Sequence, residues 1–340
     1  MDRARVPLID IEPFFSGDAA SRRRVGKAIG AACADIGFFS IVGHRVDPGI
    51  VDDLRRTSHE YFALPDEEKR KCVHPVAGTP RGLRVYEGEA LGRAAGRDAM
   101  PDLKEFYHFG RESWPDEPYY TGEEGRRYFI PNVWPERPAE FRHAAEAYYG
   151  AMEELVGRLM RLAALALDLD EDWFEDKIDR HVTAMRINHY PPQPVAPPEG
   201  QIRAGAHTDF GTFTILMGED EPGGLQVQDR DGRWYDVETR PEAFVVNVGD
   251  LFRRWTNDVW TSNFHRVVNP PAEIGPTARR ISIGFFHQPN YDAEIACLPT
   301  CTDTARPPLY RPVTSGSFRD IRYDETDIPD TQAAAMTQEA

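Results

Sequence analysis

The sequence predicts a mainly β fold with flanking helices, built as a sandwich or jelly-roll barrel, and three observations lead there. From about residue 180 onward, short β-branched and aromatic runs follow one another, separated by turn signals such as Asp231-Gly232. A single long stretch before them repeats apolar residues at helical spacing. Neither the P-loop nor the dinucleotide-binding glycine pattern occurs, which argues against a nucleotide-binding α/β fold.

Taken in order, a helix is expected from Ser21, where Val25, Ile29 and Cys33 recur on one face, leading into a buried strand over 37–42. A second helix opens at Asp47, whose carboxylate can accept from free amides while Pro48 occupies the first helical position at no cost. Residues 75–135 are rich in Gly, Pro, Arg and aromatic residues without a sustained period, and predict loops and short elements. Phe141, Ala145, Tyr148, Met152, Leu155, Leu159, Leu162 and Ala166 then mark an amphipathic helix over about 139–167, a brace for a sheet. Strands are expected at 181–190, 212–217, 225–228, 234–237, 244–248 and 280–286. The chain therefore divides into a mixed region 1–135 that wraps the core, a core 136–320 that includes the brace, and a flexible tail 321–340.

Bulk properties exclude several function classes. With 340 residues and 41% hydrophobic content the chain can build a sizeable core. Forty basic against 56 acidic residues leave a net charge of −16, which repels nucleic acid and anionic lipid surfaces. No apolar run approaches a membrane span and the N-terminus lacks the apolar block of a signal peptide, so a cytoplasmic location is expected. Cys33, Cys72, Cys297 and Cys301 do not have the spacing of a disulfide framework or a zinc site. The oligomeric state is not legible.

Chemistry concentrates in Gly205-Ala206-His207-Thr208-Asp209, where an imidazole and a carboxylate two residues apart project from one side of an extended backbone. His265 can supply a third ligand. Two histidines and one carboxylate occupy one face of an octahedron and leave three positions for exchangeable ligands, which suits a non-haem ferrous ion, although ligand softness alone also permits zinc or copper. The zinc-hydrolase helix motif is missing: His59-Glu60 begins one, but Ala63 stands where its second histidine belongs. Further on, Arg280 and Ser282 share a strand face with Gly284 and Phe286, a guanidinium and a hydroxyl able to clamp a carboxylate. On the strand ending at Tyr190, Arg186, Asn188 and Tyr190 share one face and Met185 and Ile187 the other.

These residues resemble the isopenicillin N synthase-like branch of the iron(II)- and 2-oxoglutarate-dependent oxygenases. The resemblance runs from Val6-Pro-Leu-Ile-Asp10 to about Tyr310, through Gly37-Phe-Phe-Ser-Ile-Val-Gly-His44, Arg81-Gly82, Pro101-Asp-Leu-Lys-Glu105, Asn188-His-Tyr-Pro-Pro192, His207-Thr-Asp209, Gly224-Leu-Gln226, Asn247-Val-Gly-Asp250, His265-Arg-Val267 and Arg280-Ile-Ser282. It implies a double-stranded β-helix core of the cupin-like jelly-roll type. His207, Asp209 and His265 would hold Fe(II), Arg280 and Ser282 the distal carboxylate of 2-oxoglutarate, with hydrogen bonds from Tyr190 and Asn188. The implied reaction consumes O2, releases succinate and CO2, and hydroxylates, desaturates or cyclises a small molecule at an unactivated C–H, a chemistry common in secondary metabolism. His189 departs from the family pattern, which commonly has an aromatic residue there.

Two alternatives stay open at this level. Isopenicillin N synthase and aminocyclopropane-carboxylate oxidase keep a similar Arg-x-Ser without using 2-oxoglutarate, and a fold alone permits a non-catalytic metal- or small-molecule-binding protein. The substrate pocket is expected to include Phe286 and the arginine-rich loop bearing Arg84 and Arg93, one of which would meet an anionic group. His44, His59, His74, His108, His143, His181 and His287 are read as lacking metal-site spacing, and Asp250 as closing a turn after Gly249.

Overall fold

The structure, a computed structural model, describes residues 6–76, 78–95, 99–219 and 224–324. Twelve strands carry the architecture: β1 (Leu8–Asp10), β2 (Phe38–Val42), β3 (Gly82–Arg84), β4 (Glu105–Gly110), β5 (Ala184–Tyr190), β6 (Ala204–His207), β7 (Phe213–Gly218), β8 (Leu225–Gln228), β9 (Trp234–Asp236), β10 (Phe244–Val248), β11 (His265–Val267) and β12 (Arg280–Phe286). They form an eight-stranded sheet in the order β1-β2-β10-β7-β12-β5-β4-β3 and a four-stranded sheet in the order β6-β11-β8-β9. Pairing is antiparallel throughout except between β1 and β2. This is the jelly-roll core.

Alternation along the strands separates two environments. Met185 and Ile187 of β5, Ile281, Ile283 and Phe285 of β12, and Val246 of β10 belong to a large apolar cluster shared with the helices Ala19–Asp35, Pro48–Phe62 and Phe141–Ala166. Leu155, Leu159 and Leu162 of the long helix are fully buried there, each contributing roughly 1.5–3 kcal/mol of transfer free energy. The opposite face of the large sheet looks toward the small one across a second cluster containing Phe38, Tyr190, Leu225, Val227, Val245 and Val267. Arg186, Asn188 and Tyr190 of β5 and Arg280 and Ser282 of β12 lie on that side and line the cavity between the sheets.

The expected helices form with small shifts. Asp18 caps the first by accepting from the Ser21 amide at 2.8 Å, so it begins at Ala19, and Asp47 caps the second through the Gly49 amide at 2.8 Å. Between 75 and 135, where the composition predicts only loops and short elements, the chain forms a six-residue strand, β4. All its residues are buried, so no apolar–polar alternation marks it in the sequence. The region before 135 thus supplies β1, β2, β3 and β4 to the large sheet.

A helix runs over Ser315–Asp324, across the expected boundary at 321, and Arg322 binds Asp250 at 3.2 Å, while 325–340 lie outside the described residues. Among the described residues, no helix is long and apolar enough to cross a membrane.

Candidate metal and co-substrate site

His207 closes β6 and stands directly opposite His265 of β11 in the antiparallel ladder. Asp209 follows His207 by two residues, and one ligand atom from each of the three lies within 4.8 Å of the others. The Nε2 atoms of His207 and His265 sit 3.9 and 3.8 Å from Asp209 Oδ1, and the two rings are 4.2 Å apart. His207 Nδ1 lies 2.8 Å from the Gly205 carbonyl, so it carries the proton and leaves Nε2 as the ligand atom. The His265 Nδ1 contact to the Asn263 carbonyl is looser, at 3.4 Å.

The carboxylate is oriented as firmly. Thr214 and Asn247 donate to Asp209 Oδ2 at 2.6 and 2.7 Å, which turns Oδ1 toward the imidazoles. Asp250 opens a short helix rather than closing a turn; its amide donates to the Asp209 carbonyl at 2.8 Å and its carboxylate accepts from Thr208 at 3.0 Å. Burial pushes the Asp209 carboxyl up, but the neighbouring imidazoles and the two hydrogen bonds hold it below its ordinary value overall. Burial, and then the His265 ring, depress His207 well below the usual histidine range. A neutral imidazole beside a carboxylate is the form a divalent cation needs, and the donor set matches a ferrous facial triad.

Arg280 lies in the same cavity, of about 190 Å³. It is 1% exposed, and its Nε, Nη1 and Nη2 have no hydrogen-bond partner among the described residues. Such a fork is suited to an incoming anion, because a buried guanidinium without hydrogen-bond partners costs several kcal/mol. Gly218 makes room for it, since a Cβ there would come within 3.1 Å of Nη2. Ser282 and Asn188 face each other across the ladder, and Tyr190 stands opposite Arg280 with its ring 5.7 Å from the guanidinium. Asn188 Nδ2 makes only a long 3.5 Å contact with the Ser282 carbonyl. Asn188, Tyr190 and Ser282 line the same cavity as Arg280 and the triad.

The other wall goes beyond the residues that motif and spacing single out. Arg186 shares the cavity face of β5 and binds Glu89 at 2.9 Å; Glu89 also binds Lys104 at 2.9 Å, and Lys104 reaches Asp102 at 3.1 Å. Asp102 accepts from the Gly205 amide at 2.9 Å, pinning β6 two residues before His207. Burial raises the Glu89 carboxyl, but Arg186 and Lys104 outweigh it and bring it down to about 2. Arg84, Phe286 and His108 also line the cavity, whereas Arg93 is not among its lining residues. Arg93 lies in the 3-10 turn Leu91–Ala95, which directs Leu91 inward and so carries the residue two positions later away. Only the alternation on β5 foreshadows Arg186; the Pro101–Glu105 segment holds Asp102 and Lys104 without hinting at their bonds.

His189 does an aromatic residue's work. Its ring stacks on Phe62 at 4.8 Å, while Nδ1 meets Glu105 at 2.9 Å, itself held by Lys69 at 2.8 Å.

Comparison with known proteins agrees with this geometry. Residues 6–137 match the family described as non-haem dioxygenase in morphine synthesis N-terminal, and 182–289 the 2OG-Fe(II) oxygenase superfamily. A 2-oxoglutarate-Fe(II) type oxidoreductase of Emericella nidulans, hxnY, is 37% identical over 91% of this chain and 86% of its own. A homoarginine-6-hydroxylase of Arabidopsis thaliana is 32% identical over 88% and 89%. The crystal structure of a full-length Neurospora crassa protein in complex with alpha-KG superposes with a TM-score of 0.82 at 29% identity, covering 95% of this chain and 97% of that one. The oxidase and the non-catalytic alternatives find no support in these relatives. With a double-stranded β-helix, a His-Asp-His cluster and relatives of this kind, the chain belongs to the 2-oxoglutarate- and iron(II)-dependent oxygenase family, as a dioxygenase that uses Fe(II), 2-oxoglutarate and O2.

Proposed function

We propose that the protein hydroxylates a small molecule at an unactivated C–H, with His207, Asp209 and His265 holding Fe(II) and Arg280 and Ser282 holding the distal carboxylate of 2-oxoglutarate. The observation that carries this reading is Arg280, a buried guanidinium whose three nitrogens have no hydrogen-bond partner among the described residues, in the same cavity as the converging ligand atoms. Iron, when bound, supplies the site at which O2 is reduced as 2-oxoglutarate is decarboxylated. The chain's own residues orient and exclude: Thr214 and Asn247 aim the Asp209 carboxylate, Asp102 fixes β6, and Phe286, Leu216 and Phe106 keep the cavity wall apolar.

A net charge of −16 supports a partner list without nucleic acid. Four free cysteines fit the reducing cytoplasm, where we place the protein. The test is anaerobic: protein with ferrous iron, titrated with 2-oxoglutarate while the weak visible charge-transfer band is recorded. A band requiring iron, 2-oxoglutarate, His207 and Arg280 supports the assignment. Its persistence in Arg280→Ala at unchanged 2-oxoglutarate affinity would overturn it.

A further inference from the structure

We propose that the prime substrate is an organic acid whose carboxylate is bound by Arg84 and Arg186, with His108 donating a hydrogen bond. The inference rests on the dioxygenase reading and names the substrate class of the same cavity.

Strand register puts these side chains together. His108 of β4 pairs with Arg186 of β5, which pairs with Gly284 of β12; one row along, Arg84 pairs with Phe106 and Phe106 with Asn188. Arg84, His108 and Arg186 all line the cavity. On β12 the Gly284 row lies four residues from Arg280, about 13 Å at strand rise, so Arg280 and Arg186 serve different ligands.

Charged side chains gather at this wall. His108 is 4% exposed, and burial first, then the guanidinium groups of Arg186, Arg81, Arg319 and Arg84, keep its imidazole neutral. Arg81 gives hydrogen bonds to the carbonyls of Pro80, Tyr128 and Ile130. Glu89 pairs with both Arg186 and Lys104, and Asp102 with Lys104, which immobilises Arg186 with its guanidinium 4.1 Å from the Phe106 ring centre.

A carboxylate fits better than a phosphate. The amides of β3, β4 and β5 are engaged in sheet pairing, and phosphate sites draw heavily on free backbone amides at a helix N-terminus or a nest. Planar forks of arginine match a carboxylate without such help. Leu83, Phe106, Leu216 and Phe286 also line the cavity, so the body of the acid is apolar. Gly284 allows the Phe286 ring to fold back, since a Cβ there would stand 2.8 Å from it.

The experiment is calorimetric titration of the iron(II) protein under argon, with saturating 2-oxoglutarate blocking Arg280. The probes are octanoate, phenylacetate and cyclohexylacetate, each with its primary amide and its phosphonate analogue. The expected result is an acid that binds with a Kd below about 1 mM and at least about tenfold more tightly than its amide or phosphonate. Arg84→Gln is expected to weaken that acid about tenfold or more while leaving the amide's affinity and the melting temperature in place, and Arg84→Lys to recover part of the loss. Equal binding of acid and amide, preference for the phosphonate, an acid affinity indifferent to Arg84→Gln, or no acid binding in this range overturns the proposal, provided the 2-oxoglutarate band forms. If the band does not form, it is the co-substrate assignment that fails.

Discussion

Replacing Arg280 by methionine is expected to move two measured quantities in opposite directions. In the metal-free protein the guanidinium is 1% exposed with no partner for any of its nitrogens among the described residues, and burial pulls it below its ordinary value despite Tyr190 and Glu219 nearby. The effective cost of burying an unpaired charge is several kcal/mol, part of which those two neighbours offset. A methionine of similar reach removes that cost, for a net gain on the order of 1–3 kcal/mol and a melting temperature a few degrees higher.

For 2-oxoglutarate the sign reverses. Truncating one partner of a buried, hydrogen-bonded charge pair costs about 2–5 kcal/mol, which is about 30- to 5000-fold in Kd. Melting curves of the metal-free wild type and variant, read beside anaerobic titrations of the iron(II) forms with 2-oxoglutarate, give both numbers. At about 100 times its Kd, 2-oxoglutarate with iron adds roughly 2.7 kcal/mol to the wild type alone, which cancels most of the variant's advantage or reverses it. A variant less stable than the wild type by more than about 1 kcal/mol would refute the reasoning about burial, and a Kd within about threefold of wild type would refute the clamp.

Other outcomes follow from the same geometry. Asn247→Ala frees Asp209 Oδ2 from one of its two donors and is expected to weaken ferrous iron binding by about 10- to 100-fold, measured by chelator competition; unchanged affinity would mean that Thr214 alone orients the carboxylate. Arg322→Ala removes the contact between the Ser315–Asp324 helix and Asp250, and is expected to cost about 1 kcal/mol in stability, read by urea unfolding. His108, His181, His207 and His287 are buried and held below the ordinary histidine value, first by burial. The unfolded chain therefore takes up protons near pH 6.5 that the folded one refuses, so metal-free stability is retained above that pH and falls below it, by up to about 1.4 kcal/mol per pH unit per histidine. His108→Gln should make the decline between about pH 6 and 5 shallower by close to one proton, and an unaltered slope would show that His108 titrates normally in the folded state.

Much of the architecture is local and legible in the chain itself. The brace helix follows from a period near 3.6, because one apolar stripe must be buried whatever it packs against. On β5 and β12 a period of two sets which side chains share a face, and His207 and Asp209, two residues apart, project from one side of an extended backbone. The strand β4 is not legible because both of its faces are covered, and a residue buried from both sides carries no alternation.

What tertiary structure alone decided are contacts between groups far apart in sequence. The direct pairing of His207 with His265, the path from Arg186 through Glu89, Lys104 and Asp102 to the Gly205 amide, the seat of His189 against Phe62 and Glu105, and the reach of Arg322 to Asp250 each join different elements. Periodicity reports which face of an element is buried, but which neighbour fills that space depends on sheet order and register. Those are set by the summed packing of the whole core, and so the chain by itself singled out the proposed metal ligands and clamp, while the charges and aromatic rings that line the rest of the cavity were brought there only when β3, β4 and β5 came together.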